Sequence, residues 1–487
     1  MLCITGCEKN VGALAARVQK ISKGFPSSLM EIRLDALDRI DDEVFGLIRK
    51  NRGNMVVVCR PERQGGWFEG SEEERLKILS RLIQVGVKYL DVEADITEAA
   101  LERMKKASSG GTKIVLSHHD FSSMPADIPG ELKSIRSRGV DVVKMAVRVE
   151  DTAELSRLKS AGAGFKTPLV IIGMGAAGVA SRIRYPGFGS IWTYVSADVS
   201  LATAPGQLSL DQALEMGLPQ SATAPFLALV GGPQVVHSPG PVVYNRFFRA
   251  RGLPYSYFWA ITSKARETFE LLKELGAIGL GVTMPHKAAA FEYGKADEEA
   301  GSAGAANTLR FSGEGVHCTN TDIQGVRGPL GAACGIAAGK CGNKKVLILG
   351  AGGAARAAVV ACLSMGFKVT VSTKYPEEMA KLSGLEVSAC PWDDIAKVDA
   401  EVLINATPVT GNSSPWPEDV PLKKEVVFDL AISGDPSRLL SRARREGAIA
   451  LEAREMWLNQ GARQIKWITG LDISVEEMRG FLPEGRQ

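Results

Sequence analysis

Two constellations in this chain could do chemistry. In the first half, MEIRLD places Glu31, Arg33 and Asp35 at alternate positions of one apolar run, so their side chains share a face. Arg60 ends VVVCR, His119 lies just after KIVLS, and Lys144 interrupts VDVVKMAV. A lysine held in an apolar strand near arginines is one whose ammonium form is disfavoured, leaving an amine that can add to a ketone as a Schiff base. A histidine across the same pocket can then move protons to and from carbon. In the second half, Lys287 follows one apolar run in GVTMPHK and Asp322 follows another in CTNTDIQG. Where two strand ends converge, such a pair holds a protonated lysine beside a reacting oxygen. Taken singly, each of these charges reads as a strand end reaching solvent, and the Lys287 and Asp322 pair as a surface salt bridge.

A third stretch, VLILGAGGAARAA from Val346 to Ala358, reads as strand, phosphate loop and helix. Gly350 lets the chain turn sharply, Gly352 has no Cβ to keep a pyrophosphate off the backbone, and Ala355 permits close packing of helix on strand. The next apolar run, Phe367 to Val371, ends in Ser372, Thr373 and Lys374 rather than in an acidic residue for ribose hydroxyls. Small polar and basic groups there favour a 2′-phosphate, hence NADP. A nicotinamide on that turn supplies hydride to a carbonyl while Lys287, oriented by Asp322, supplies the proton.

These residues need elements to hold them. From residue 1 to about 200, eight short apolar runs recur: Leu2 to Thr5, Met30 to Leu34, Met55 to Cys59, Tyr89 to Val92, Lys113 to Leu116, Val140 to Met145, Leu169 to Ile172 and Ile191 to Val195. Segments between them, such as Glu72 to Val85 and Glu131 to Arg138, carry apolar residues at helical spacing, which predicts an alternating β/α chain closed into a (β/α)8 barrel. In that fold the site lies at the C-terminal ends of the strands, where the charges above fall. Ser209 to Met216 reads as a closing helix and Gly217 to Pro225 as a short linker. A new strand opens at Phe226, an amphipathic helix surrounds Tyr244 to Arg251, and a further strand spans Ile278 to Thr283. The expected domains are a barrel over 1–216, a linker over 217–225, a substrate domain over 226–335 completed by a helical stretch over 455–487, and a Rossmann α/β domain over 336–454.

The 58 basic and 55 acidic residues leave a net charge of +3, and no basic run of the nucleic-acid kind occurs, which argues against nucleic acid as a partner. The eight cysteines contain no CxxC pair and the five histidines show no zinc-ligand spacing against them, so no metal is expected and the thiols read as reduced. No stretch of about twenty apolar residues and no basic, apolar leader occurs, so the expectation is a cytoplasmic chain with small-molecule partners and no membrane contact.

Residues 1 to about 210 resemble the type I 3-dehydroquinate dehydratases in the spaced set EIRLD, CRP with GGWFEG, SHHDF, VVKMA, GVASR and ATAPGQ. The resemblance implies that Lys144 forms an imine with a 3-keto group, and that His119 removes the adjacent proton and assists loss of the C1 hydroxyl as water. It further implies that Arg33, Arg182 and Gln207 clamp carboxylate and hydroxyls, with Arg60 and Glu31 in the surrounding network and Thr203 in the lid stretch. From Phe226 onward the chain resembles the shikimate dehydrogenases in GxPxxHS, GVTMPHK, NTL, NTD, GAGGAAR, INATP and the late Gln460. That resemblance implies a catalytic pair in Lys287 and Asp322 and substrate ligands in Ser238, Thr283, Asn307 and Gln460. Gly350, Ala351, Gly352, Gly353, Ala354 and Arg356 correspond to the phosphate loop, Thr373 and Lys374 to the NADP-selecting turn, and Asn405, Ala406 and Thr407 to residues flanking the cofactor.

The chain departs from both patterns. Gln64 stands where the first family usually has a glutamate, and Thr203 where it commonly has serine. Gly240 replaces a second serine of the dehydrogenase carboxylate site, Ile432 a tyrosine, and Glu378 a second basic residue of the 2′-phosphate pocket. Together the two resemblances imply a bifunctional enzyme for consecutive steps: 3-dehydroquinate to 3-dehydroshikimate, then NADPH-dependent reduction to shikimate. The alternatives they leave are a quinate or shikimate dehydrogenase with a weakened dehydratase half, and a non-catalytic quinate-sensing regulator. Retention of Lys144, His119, Lys287 and Asp322 argues against the latter.

Overall fold

Alternation of side chains along eight short strands decides what fills the interior of the first half. The computed structural model describes residues 1–108, 110–335, 343–431 and 437–483; the domain boundary expected at residue 336, Ile432 and the last four residues lie outside that set. Strands β1 (Leu2–Gly6), β2 (Leu29–Arg33), β3 (Met55–Val58), β4 (Tyr89–Glu93), β5 (Lys113–Asp120), β6 (Val142–Arg148), β7 (Leu169–Met174) and β8 (Thr193–Ser196) pair in the order β7-β6-β5-β4-β3-β2-β1-β8. Every pairing is parallel. Between β8 and β7 the sheet closes through the residues just before β8: Ser190 bridges Leu169, and the Ile191 N–H donates to the Leu169 carbonyl at 2.9 Å. The expected barrel is therefore present, with each of the eight apolar runs a strand. The largest shift from expectation is β5, which continues to Asp120 because Ser117 to Asp120 stay in register with Lys144 to Val147.

The lumen is layered. Its lower part is packed with Cys3, Leu29, Val56, Tyr89, Val115, Val142, Val170 and Trp192, the Tyr89 and Trp192 rings meeting edge-on at 5.1 Å. Two residues further along the strands, the same inward face carries Thr5, Glu31, Asp91, Ser117, Lys144 and Tyr194, all buried. The apolar floor thus raises a charged layer to the C-terminal rim. Outside, amphipathic helices cover the strands; Glu72–Val85 begins with a reciprocal cap between Ser71 and Glu74 and buries Leu79, Leu82 and Ile83.

Residues group into two compact units, Met1–Ala277 and Ile278–Gln487. The first contains more than the barrel. Strands β9 (Phe226–Gly231) and β10 (Ser256–Ile261) run parallel, joined by the helix Gly240–Ala250. Arg184 is one polar tie of the barrel to this extension: it donates to the carbonyls of Ser221 (2.8 Å), Ala224 (2.7 Å) and Leu275 (3.1 Å) and covers the Phe226 ring at 4.5 Å. Burial lowers its guanidinium to about 10, so these carbonyl dipoles replace lost water.

In the second unit, β11 (Ala277–Val282), β12 (Lys295–Ala296), β13 (Thr308–Ser312) and β14 (Gly315–Thr319) form a mixed sheet in which β13 lies antiparallel between β11 and β14. A separate parallel sheet follows, made of β15 (Lys345–Leu349), β16 (Lys368–Ser372), β17 (Val387–Ala389), β18 (Val402–Asn405), β19 (Val426–Asp429) and β20 (Ile449–Leu451). Its order, β17-β16-β15-β18-β19-β20, is that of a doubly wound Rossmann sheet whose strand sequence reverses between β15 and β18. The helix Ala453–Thr469 returns from β20 to pack beside the helix Asp322–Ala333. Among the described residues no helix is long and apolar enough to cross a membrane.

Arg184→Ala strips three carbonyl groups of their donor. It is expected to lower the unfolding free energy of the first unit by about 2–4 kcal/mol, read as a reduced urea midpoint at unchanged slope.

Candidate active sites

Lys144 lies on the inward face of β6, opposite Ser117 of β5. Its Nζ is 2.7 Å from Asp91 Oδ2, 3.8 Å from Glu31 Oε1 and 4.3 Å from the centroid of the Tyr194 ring. The sequence had placed arginines about this amine; at the nitrogen itself stand two carboxylates and an aromatic face. Asp91 is fully buried and also accepts from the Ser117 hydroxyl at 2.5 Å. Burial alone would raise its carboxyl, but Lys144 and Arg60 together outweigh that and hold it below the usual carboxylate range. Arg60 stands 3.4 Å from both Asp91 and Glu93, and Arg75 donates to Glu93 at 2.7 Å. Glu31 accepts from the Thr5 hydroxyl at 2.6 Å. Arg33 is already neutralised by a two-pronged pair with Asp35, at 3.0 and 2.6 Å, and Trp67 covers its guanidinium at 4.6 Å.

Arg182 differs. It is 2% exposed, its Nε has no hydrogen-bond partner among the described residues, and its Nη2 reaches only the Pro205 carbonyl at 3.5 Å. Burial lowers this guanidinium to about 10. A buried cation without a carboxylate is costly unless an anion arrives, which marks this end of the pocket for an acidic substrate group. The neighbouring lid is folded on itself: Gln207 Oε1 accepts from the Thr203 N–H (2.7 Å) and hydroxyl (3.1 Å), leaving the Gln207 amide hydrogens for a ligand. Gly206, at φ +70°, packs so tightly that a Cβ would lie 2.2 Å from the Gly175 carbonyl.

His119 is held well below its ordinary value of 6.5, first by burial and then by Arg60, Lys144 and Arg33, so it is a neutral imidazole near pH 7. Its ring stacks on Phe121 and its Nδ1 has no partner among the described residues. Gln64, in the position where a glutamate was expected, turns its amide toward Asp95 at 3.5 Å. Sequence reasoning omitted Asp91, Glu93 and Tyr194 from this site. The first two were detectable: YLDVE alternates as MEIRLD does, and its two acids share the inward face.

In the second unit Lys287 opens the helix Lys287–Tyr293 and its Nζ lies 2.5 Å from Asp322 Oδ2. Asp322 is the first residue of the helix Asp322–Ala333, where a negative charge is favoured. Asn307 orients it, donating Nδ2 to Asp322 Oδ1 at 2.9 Å and accepting the Thr321 N–H at 2.8 Å. The Thr321 hydroxyl is 3.2 Å from Gln460 Oε1 on the helix Ala453–Thr469, and Gln464 from the same helix donates to the Asn307 carbonyl and the Thr308 hydroxyl. Asn307 thus bonds Asp322 directly and Gln460 reaches its neighbour Thr321; Thr321 and Gln464 are residues that the sequence reading did not single out. Thr283 directly follows β11 and its carbonyl accepts the His286 N–H. Ser238 belongs to the first unit, where its hydroxyl accepts the Gly240 N–H at 3.2 Å. A Cβ on Gly240 would lie 3.3 Å from Ser238 Oγ and from the Tyr244 and Tyr257 rings, so a serine there would crowd this wall.

The glycine-rich turn lies at the strand-order reversal. Gly350, at φ +106°, lets the Ala406 carbonyl approach; a Cβ would lie 2.8 Å from it. Ala351 is buried, while nothing stands within 4 Å of a Cβ at Gly352 or Gly353. Gly352 caps the helix Gly353–Ser364 without a side-chain bond, so the first-turn amides of Gly353, Ala354 and Ala355 face an open cradle. This fits a pyrophosphate. At the end of β16, Ser372 Oγ is buried without a partner among the described residues, Thr373 accepts the Tyr375 N–H, and Lys374 lies 5.1 Å over Trp392. Asn405 spends its amide inside the protein, on the Val409 carbonyl, Asp429, and the Thr407 N–H and hydroxyl. It shapes the loop through Ala406 and Thr407 rather than offering its side chain. Arg356 donates Nη2 to the Ser302 carbonyl at 3.3 Å.

Comparison with known proteins agrees with this division. Residues 2–217 match the type I 3-dehydroquinase family and residues 230–309 the shikimate dehydrogenase substrate binding domain. The chain is 28% identical over 478 residues to the chloroplastic bifunctional 3-dehydroquinate dehydratase/shikimate dehydrogenase of Arabidopsis thaliana, covering 92% of this chain and 79% of that protein. It is 25% identical over 443 residues to the shikimate biosynthesis protein AroDE of Chlamydia pneumoniae, covering 90% and 89%. Its second part is 30% identical to the NADP(+) shikimate dehydrogenase of Maridesulfovibrio salexigens over 270 residues, which is 53% of this chain and 96% of that one. With a charged (β/α)8 lumen followed by a Lys–Asp pair and a nicotinamide-type nucleotide cradle, the chain belongs to the bifunctional family that joins a type I 3-dehydroquinase to a shikimate dehydrogenase.

Proposed function

We propose that residues 1–216 dehydrate 3-dehydroquinate to 3-dehydroshikimate through an imine on Lys144, and that residues 226–487 reduce the product to shikimate with NADPH. The observation that carries the reading is Lys144, buried 2.7 Å from Asp91, in a lumen that also holds a neutral histidine and an arginine lacking a carboxylate partner. The Lys144 amine adds to the ketone carbon, and loss of water leaves a protonated imine. The positive charge persists from ammonium to iminium, so Asp91, Glu31 and the Tyr194 face serve both states. His119 takes the proton from the adjacent carbon, the electron pair moving into the iminium as an enamine. The histidine then returns that proton to the departing hydroxyl, which leaves as water, and hydrolysis frees Lys144. Arg182 and the Gln207 amide hold the substrate carboxylate and hydroxyls.

In the second half, the backbone amides of Gly352, Gly353 and Ala354 would hold the cofactor's pyrophosphate, and Ser372, Thr373 and Lys374 would take its 2′-phosphate. The nicotinamide, when bound, supplies hydride. Lys287 gives its proton to the carbonyl oxygen, and Asp322, fixed by Asn307, keeps that ammonium aimed. Thr283 and Gln460 hold substrate hydroxyls.

Mixing the protein with 3-dehydroquinate and NADPH should consume NADPH. Lys144→Ala should stop that consumption while leaving reduction of added 3-dehydroshikimate intact; NADPH loss that continues in the variant overturns the imine assignment. Borohydride added with 3-dehydroquinate should leave a covalent adduct in the wild type and none in Lys144→Ala, read by mass spectrometry. Because His119 is held below 6.5, the acidic limb of dehydratase kcat/KM should lie well under pH 6.5, with no inflection at that value. The same shift makes stability fall as pH drops below 6.5, since the unfolded histidine takes up a proton that the native one refuses. Lys374→Ala should raise KM for NADPH by about tenfold, the loss of one charge-assisted contact, and leave KM for NADH unchanged; equal effects on both cofactors would remove Lys374 from the 2′-phosphate pocket.

A further inference from the structure

The extension that follows the barrel is bonded to the catalytic rim, at the two loops that shape the substrate end of the lumen. After β6, Asp151 caps the turn Thr152–Glu154 by accepting the Ala153 N–H at 2.9 Å, and the same carboxylate accepts three bonds from the end of β10. The Thr262 hydroxyl donates at 2.6 Å, the Ser263 N–H at 2.7 Å and the Ser263 hydroxyl at 2.8 Å. After β7, the Ala176 carbonyl accepts the Trp259 indole N–H at 3.1 Å. The two loops are also tied to each other, the buried Thr152 hydroxyl donating to the Ala177 carbonyl at 3.0 Å.

These loops bear directly on the dehydratase pocket. The turn Ala176–Gly178 leads into the helix Val179–Ile183, which carries Arg182. Gly175, one residue earlier, donates its N–H to the Pro205 carbonyl of the lid at 2.9 Å, and Gly206 packs on the Gly175 carbonyl. Arg182 itself reaches only Pro205. The orientation of the unpaired guanidinium and the height of the lid are thus both set by the position of the Gly175 to Gly178 turn. That turn is braced on one side by Thr152 and on the other by Trp259.

We infer that Trp259, Thr262 and Ser263, all in the dehydrogenase part of the sequence, are positioning residues for the dehydratase: by holding the loops after β6 and β7 they set Arg182 and the Thr203–Gln207 lid over the substrate. The inference rests on the dehydratase function proposed above. Arg182 and the lid grip the substrate in ground and transition states alike, so loosening them weakens uniform binding, which raises KM and spares kcat.

The test uses the full chain carrying Trp259→Phe, which keeps an aromatic side chain and removes the indole N–H, and separately Thr262→Val with Ser263→Ala. Dehydratase and dehydrogenase constants are measured on the same preparation, together with the 3-dehydroquinate concentration that half-saturates borohydride trapping of Lys144. Each variant should raise KM and the half-saturating concentration by about three- to tenfold, the loss of one or two hydrogen bonds, with kcat within about twofold and reduction of added 3-dehydroshikimate retained. An unchanged KM, or a fall in kcat at constant KM, overturns the inference. Should the double variant lose both activities by misfolding, Trp259→Phe alone decides by the same criteria. Wild-type protein that turns over no 3-dehydroquinate would instead overturn the proposed function, and this inference with it.

Discussion

The constraint on which the first half depends is the burial of charge above an apolar floor. A closed barrel of eight strands buries the side chains of its lumen, so each charged group raised into it needs a counter-charge there. Lys144 has Asp91, Arg60 has Asp91 and Glu93, Arg75 has Glu93, and Arg33 has Asp35. Among the described residues Arg182 is the exception: its Nε has no partner and it lies beside the lid, where a carboxylate brought in by a substrate would neutralise it. Burial first, and then the nearby positive charge of Arg60, Lys144 and Arg33, keeps His119 a neutral imidazole, the state in which a ring nitrogen can accept a proton.

The second half solves a different problem with hydrogen-bond geometry. Lys287 and Asp322 come from the starts of two helices separated in sequence, and Asn307 fixes the aspartate by using both ends of its amide. The helix Ala453–Thr469 then closes the arrangement by bringing Gln460 and Gln464 to Thr321 and Asn307. In the nucleotide-binding sheet the positive φ of Gly350 and the open face of Gly352 and Gly353 leave a cradle for phosphate where the strand order reverses. Asn405 and Asp429 serve as internal supports of that cradle.

Fusion of the two halves is more than a tether in this chain. The segment joining them is clasped by Arg184, and the end of β10 is bonded to Asp151 and Ala176 on the barrel rim. Strands that belong to the dehydrogenase by sequence therefore share a compact unit with the barrel, which is why the structure divides at Ala277 although the composition of the chain changes near residue 217.

Much was legible in the residues alone. Eight apolar runs with helical segments between them specify a β/α barrel because the period of the pattern changes from 2 to 3.6 at each connection. Period-2 alternation also placed Glu31 and Arg33 on the inward face, and VLILGAGGAARAA declared its own strand, turn and helix because only glycine tolerates that turn. What the linear order could not show was pairing. Asp91, 53 residues before Lys144, stands 2.7 Å from its amine, so the lysine thought to be surrounded by arginines faces carboxylates instead. Arg33 and Arg182 look equivalent as letters, yet one is neutralised by Asp35 and the other is left open. Local periodicity determined which residues face inward; which charges cancel was decided by the closing of the barrel, because Coulomb partners are set by distance in space and sequence separation carries no trace of it.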